Sequence, residues 1–161
     1  MYIALNEKEV AFINQQFNIA IHVLVFLGKH SNEQFSSLEL CESVCVHPVQ
    51  LRKVMRLLSS NKLVETRYGK KGGYRAIDDC LNISLAKLFM IFRDVDNDTR
   101  IFTGKEDSDC KISRSMRTTM YNFSVKEYDL LKEYYKDIYI GDILADINED
   151  NTNEKNNLIH S

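Results

Sequence analysis

No apolar run in this sequence approaches the roughly 18 residues that a membrane-spanning helix needs. The longest, near Ile19 to Leu27, is interrupted by His22. The N-terminus has no basic patch followed by an apolar core, so no signal peptide is expected. Catalytic signatures are missing as well. There are no paired carboxylates in a pocket-like context, no HExxH-type metal site and no nucleophile with a convincing base. His47 lies two residues from Cys45, but a pair so close in a turn lacks steady thiol–imidazole geometry. The expectation is neither a membrane protein nor an enzyme, with no catalytic residue, metal or cofactor. The cysteines, Cys41, Cys45, Cys80 and Cys110, should be reduced thiols in a cytoplasmic protein. The plain reading of any one of them is a small buried hydrophobe.

What the sequence does have is an uneven distribution of charge. The formal net charge is −2. Yet between Gln50 and Arg75 the basic residues are Arg52, Lys53, Arg56, Lys62, Arg67, Lys70, Lys71 and Arg75, and the only acid is Glu65. A strongly basic segment on an otherwise acidic body suggests a surface made for a polyanion. An apolar fraction of 44% is ordinary and allows a packed core.

Periodicity divides the chain. From Glu7 to about His30, apolar residues recur three or four apart through Val10, Ile13, Phe17, Ile21, Leu24 and Leu27, and Ile19, Val23 and Phe26 widen this stripe, which predicts a helix buried on two sides. His22 within it reads as a core or interface histidine. Ser36 or Ser37 can cap a short helix carrying Leu38, Leu40, Cys41 and Val44. Pro48, the single proline, suits the first turn of a third helix, because its missing N–H would be unpaired there anyway. That helix runs to about Ser60, with Leu51, Val54, Met55 and Leu58 on one face and Gln50, Arg52, Lys53 and Arg56 on the other. Leu63–Arg67 and Tyr74–Ile77 are strand candidates around the turn Tyr68-Gly69-Lys70-Lys71-Gly72-Gly73, whose glycines permit a tight hairpin. Asn82 or Ser84 caps a helix through Asp94. Residues 96–108 read as a polar loop, with Ile101 and Phe102 as anchors. Residues 109–138 read as one long helix, although Ser124 to Glu127 resembles a capping box that would allow a break. A short helix is expected over 141–147, followed by an unstructured polar tail.

Two helices joined by a short turn, the second proline-capped and basic on one face, fit a DNA-reading helix-turn-helix. The hairpin after it fits a wing. A phosphate-cradling loop is the alternative, but Gly-Lys-Lys-Gly-Gly lacks that spacing and joins strands rather than opening a helix. The predicted fold is mainly α with a small β-hairpin. A winged helix-turn-helix DNA-binding domain covers residues 7–80. A connecting helix, a loop and a long dimerisation helix cover 81–147, and a disordered tail covers 148–161. The Met, Tyr and Phe residues of the long helix are too many for one small core, so a homodimer interface is expected. Pro48, Val49, Gln50, Arg52 and Lys53 should approach base edges or phosphates in a major groove. Gln50 could read adenine, and Arg52 could read guanine or hold a phosphate. Ser37 and Arg56 should meet phosphates, and Arg67, Lys70, Lys71 and Tyr74 belong to the wing. The expected partner is a roughly palindromic double-stranded operator, with no membrane involved. A protein-interaction module using this fold without DNA remains a competing reading.

The runs Phe17-Asn18-Ile19-Ala20-Ile21-His22-Val23-Leu24, His47-Pro48-Val49-Gln50-Leu51-Arg52-Lys53-Val54 and Arg67-Tyr68-Gly69-Lys70-Lys71-Gly72-Gly73-Tyr74 resemble the Rrf-two family of bacterial regulators, as does the helix start Asn82-Ile83-Ser84-Leu85. The resemblance covers roughly residues 16–147. It implies a repressor whose first and last helices build a dimer, the long C-terminal helix crossing to the other subunit. Several members hold an iron–sulfur cluster on three closely spaced cysteines before the long helix. Here that region offers only Cys110, so a cluster held in that way is not expected. Other members regulate cysteine metabolism through contact with a biosynthetic enzyme. The sequence also resembles a subgroup from low-GC Gram-positive bacteria that responds to oxidants or electrophiles through cysteines. Carried over, that resemblance makes Cys45, before the reading helix, and Cys110, at the start of the long helix, a redox switch pair joined by an intersubunit disulfide. Both positions are of a kind that favours reactive thiolates. Cys41 and Cys80 would then be structural. The alternative is a repressor of the same fold that senses a small molecule or a partner protein.

Overall fold

The computed structural model describes residues 14–93 and 102–159. Helix α1 (Gln15–Lys29) begins where the Asn14 side chain accepts hydrogen bonds from the Gln16 and Phe17 amides, at 2.7 and 3.3 Å. The part of this helix expected over 7–13 lies outside the described residues. Ala20, Val23, Leu24 and Leu27 are completely or almost completely buried, and α1 is the central strut against which α2, α3, α4 and α6 pack. His22, expected in a core or an interface, is exposed on the single chain.

Helix α2 (Ser37–Val44) is opened by a capping box at Ser36. The Ser36 hydroxyl accepts from the Glu39 N–H, and the Glu39 carboxylate accepts from the Ser36 N–H at 2.7 Å. Donation from Ser36 to the carboxylate, chiefly from its N–H, holds the Glu39 carboxyl below the usual carboxylate range. Helix α3 (Pro48–Ser60) follows, and the antiparallel strands β1 (Val64–Arg67) and β2 (Gly73–Ala76) pair Val64 with Ala76 and Arg67 with Gly73. An isolated bridge, Phe35 to Tyr74, ties the loop before α2 to β2, with the Tyr74 N–H donating to the Phe35 carbonyl at 2.7 Å.

A 3-10 turn (Cys80–Asn82) leads into α4 (Leu85–Arg93), where Ser84 serves the cap by accepting from the Lys87 N–H. Helix α5 (Lys111–Tyr135) is continuous. Ser124 does not break it. Its hydroxyl and carbonyl instead accept from the Arg93 guanidinium, at 3.1 and 3.2 Å. The same guanidinium lies 4.5 Å from the Tyr128 ring centroid, so one arginine of α4 clamps the middle of α5. Of the two loop anchors expected before α5, Ile101 lies outside the described residues, and the Phe102 ring meets Tyr121 edge-on at 6.3 Å.

Helix α6 (Ile140–Ile159) is longer than the short helix expected over 141–147, and it continues through the polar segment that the sequence reading leaves unstructured. After Gly141 this segment has neither glycine nor proline to stop a helix. The start of α6 is fastened to α4 by reciprocal backbone bonds, Leu85 N–H to Ile138 O and Ile140 N–H to Ile83 O, and Ile140 is fully buried. Leu85, Leu88 and Phe92 of α4 therefore share one core with α1, α3 and the hairpin.

Candidate DNA-binding surface

The turn between α2 and α3 is built for a sharp change of direction. Cys45 caps α2 in the left-handed conformation, with φ of 56°, and its thiol donates to the Glu42 carbonyl at 3.4 Å. His47 caps α3: its Nδ1 accepts from the Val49 N–H at 3.2 Å, and Pro48 occupies the first turn. Leu51, Val54, Met55 and Leu58 bury one face of α3 against the core, which leaves Arg52, Lys53 and Arg56 exposed on the other. Val49 is exposed beside them. Gln50 is half-buried, and its Nε2 donates to Gln15 Oε1 at 3.4 Å, so the amide is partly engaged with the start of α1. Ser37 is exposed at the first position of α2.

The wing follows directly. A hydrogen bond between the Ser59 and Thr66 hydroxyls, 3.0 Å long, joins the end of α3 to β1. Arg67, Lys70 and Lys71 are exposed, while Tyr74 is half-buried and packs against the core. Of the wing glycines, only Gly69 has a positive φ, 108°. Gly72 and Gly73 serve a different purpose from the turn flexibility expected of them. A Cβ at either would fall within 2.5 Å of a backbone oxygen, that of Arg67 or Phe35 respectively. The paired glycines are there to let chains approach.

Two supports of the wing escape a reading of the sequence. Gln34 Nε2 donates to the Lys71 carbonyl at 2.8 Å, and Arg75 Nε donates to the Ser31 carbonyl at 3.2 Å. Both join residues about 40 positions apart, and no local pattern announces them.

The cysteines fall into two classes. Cys41 and Cys80 are buried; Cys45 and Cys110 are exposed. Burial pushes the Cys80 thiol up to about 11, and it donates to the Leu24 carbonyl. Since the thiolate is the nucleophile, iodoacetamide at pH 8 is expected to label Cys45 and Cys110 while folded Cys80 stays unmodified. Peptide mass spectrometry over time checks this, and equal labelling of Cys80 would refute the burial argument. Cys110 caps α5 without a side-chain hydrogen bond, next to Lys111.

Comparison with solved structures shows the fold. A candidate transcriptional regulator from Lactobacillus plantarum superposes with a TM-score of 0.72 at 22% identity, over 91% of this chain and 98% of that one. The IscR protein of T. potens gives 0.58 at 16% identity, over 86% and 89%. The oxidized form of Staphylococcus aureus CymR gives 0.57 at 13% identity, over 82% and 94%. No curated protein matches the chain. Residues 13–146 match the family described as Rrf2, iron-dependent transcriptional regulator.

Among the described residues no group of three or more His, Cys, Asp or Glu side chains is placed to hold a metal ion. Two of the four thiols are enclosed in the core, and Cys45 sits in the helix-turn-helix, far in sequence from Cys110. Among the described residues no helix is long and apolar enough to cross a membrane. On the match over residues 13–146, the chain belongs to the Rrf2 family of DNA-binding transcriptional regulators and is not an enzyme.

Proposed function

We propose that the protein is a cytoplasmic, homodimeric repressor that reads a roughly palindromic operator and is controlled by oxidation of Cys45 and Cys110. Three features support the reading. Arg52, Lys53 and Arg56 project from the face of α3 opposite its buried stripe, and Arg67, Lys70 and Lys71 extend the same positive segment onto the wing. Helix α5 has no buried residue of its own, and Ile112, Met120, Phe123, Leu130 and Tyr134 are all more than two-fifths exposed. These five fall on one helical face, as a dimer interface requires.

The observation that carries the redox part is that Cys45 and Cys110 are the two exposed thiols, one at the entrance to α3 and one at the entrance to α5. The S. aureus relative of the same fold has been solved in an oxidized form. In a crossed dimer, Cys110 of one subunit meets Cys45 of the other. Hydrogen peroxide would take two electrons and two protons from the thiols, leaving one S–S bond and two molecules of water. The bond needs Cα atoms within about 7 Å, so it would pin the two reading heads at one spacing.

Non-reducing electrophoresis tests this, with a DNA mobility shift on the same samples of wild type, Cys45→Ser and Cys110→Ser. A covalent dimer that needs both cysteines and alters operator binding supports the switch. Unchanged mobility and unchanged DNA binding would refute it.

Arg52→Ala is expected to weaken operator binding by about 10- to 100-fold, the worth of one good base or charged phosphate contact. Fluorescence anisotropy with labelled operator and a scrambled duplex reads the loss. Full affinity and specificity in that variant would remove Arg52 from the interface.

A further inference from the structure

The surface that carries the exposed face of α3 also carries a cleft. It has a volume of about 310 Å³ and opens between the first turn of α2, the first half of α3 and the wing. Leu38, Pro48, Leu51, Met55 and Tyr74 give it apolar walls. Ligand sites generally combine such walls with a few polar groups, and this volume lies at the small end of their range. Proline, thioether and phenol surfaces suit a flat aromatic body, since sulfur packs favourably against aromatic rings.

The charge in the cleft has one sign. Arg52 is the sole ionic residue of the lining. Among the described residues it has no salt-bridge partner. The acid in the first turn of α2, Glu39, is turned back onto the Ser36 N–H and does not serve it. A guanidinium at the edge of an apolar cleft is matched by a carboxylate, which it can bind through two parallel hydrogen bonds.

We propose that this cleft binds a small planar aromatic carboxylate, with its ring between Pro48, Met55 and Tyr74 and its carboxylate on Arg52. Ser37 also lines the cleft, so the ligand covers four residues assigned to the DNA-binding surface, Ser37, Pro48, Arg52 and Tyr74. Occupancy and operator binding therefore compete. The competition rests on the DNA assignment of α3; the binding itself does not.

The test uses the full chain and 2-naphthoate as the probe, with 2-naphthylmethanol as its neutral counterpart. Saturable binding is read by calorimetry and by protection of Cys41, which lines the cleft and is 8% exposed, from slow alkylation. Naphthoate should bind at least tenfold more tightly than the alcohol. Arg52→Gln should remove that difference. Leu38→Trp should abolish binding of both by filling the cleft, and since Leu38 is 66% exposed the fold should tolerate it, as a thermal melt will verify. Saturating naphthoate should raise the apparent dissociation constant for operator at least tenfold in wild type. Absence of saturable binding, or binding unchanged in both variants, overturns the site. Binding at the cleft without an effect on operator overturns the competition. A protein that binds naphthoate as described but no DNA overturns the repressor reading and leaves the site standing.

Discussion

Phe123→Asp is expected to convert the proposed dimer to a monomer and to abolish operator binding at working concentrations. Phe123 lies midway along α5 and is 62% exposed in the single chain, three residues from Met120 and seven from Leu130, which share its face. In a two-fold dimer every substitution is made twice. Losing a central aromatic anchor costs about 2 kcal/mol or more per copy. Doubled, that raises the dimer dissociation constant on the order of a thousandfold, before the repulsion between two facing carboxylates is counted. The monomer itself should be unharmed, because surface substitutions usually stay within about 0.5 kcal/mol. Sedimentation velocity across a concentration series reads the assembly, and circular dichroism confirms the fold. A Phe123→Asp protein that remains dimeric would place the interface elsewhere.

Gly73→Ala is expected to cost about 2–4 kcal/mol of stability, the range for core overpacking and broken backbone hydrogen bonds. A Cβ at this position would lie 2.5 Å from the Phe35 carbonyl oxygen and 2.8 Å from its carbon. Both are backbone atoms, and the same oxygen accepts from the Tyr74 N–H, so relief requires opening the Phe35–Tyr74 bridge. The bridge sets β2 against the loop before α2, so DNA affinity should fall with stability. Gly28→Ala is the control. There a Cβ would meet the Leu81 side-chain end, Cδ2, at 2.7 Å, and a leucine tip can rotate away. Urea denaturation should give the larger loss for Gly73→Ala. Equal losses would mean that the bridge yields without cost.

The contrast between these glycines shows where a sequence stops being informative. The turn was legible from its composition, and so were both strands, the proline-capped α3 and the capping serine before α2. These depend on neighbours along the chain, and caps and periodicity encode such contacts directly. The reason for Gly72 and Gly73 was not legible, because it lies in backbone approaches that only the folded chain creates.

Helix α5 is a subtler case. A single stripe through Ile112, Met116, Met120, Phe123, Leu131, Tyr135 and Ile138 joins residues that the structure separates. Ile112, Met120 and Phe123 are exposed, whereas Tyr135 and Ile138 pack against the core, and Tyr135 meets the Phe17 and Phe89 rings at 5.4 and 5.5 Å. Leu130 and Tyr134, missing from that stripe, continue the exposed face. With apolar residues on two faces of one helix, spacing alone cannot say which face meets its own core. Arg93 was likewise invisible: a charged residue at the end of α4 gives no sign that its partners are Ser124 and Tyr128.

The candidate site was legible to the same degree. Arg52, Lys53, Arg56, Arg67, Lys70 and Lys71 are exposed as a helix-and-hairpin reading requires, because their charge and the buried stripe beneath them are both written locally. Gln50 was less readable, since its hydrogen bond to Gln15 crosses 35 residues.

The central claim is that a dimer of this chain holds DNA through α3 and the wing. The most direct measurement is the salt dependence of its affinity for the DNA upstream of its own gene, for wild type and for Lys70→Ala/Lys71→Ala. The account predicts specific binding that weakens linearly in log–log form, with a slope of about −0.9 per phosphate contacted, and a slope shallower by about 2 in the double variant. Binding that ignores salt, or a slope unchanged by removal of both wing lysines, would contradict it.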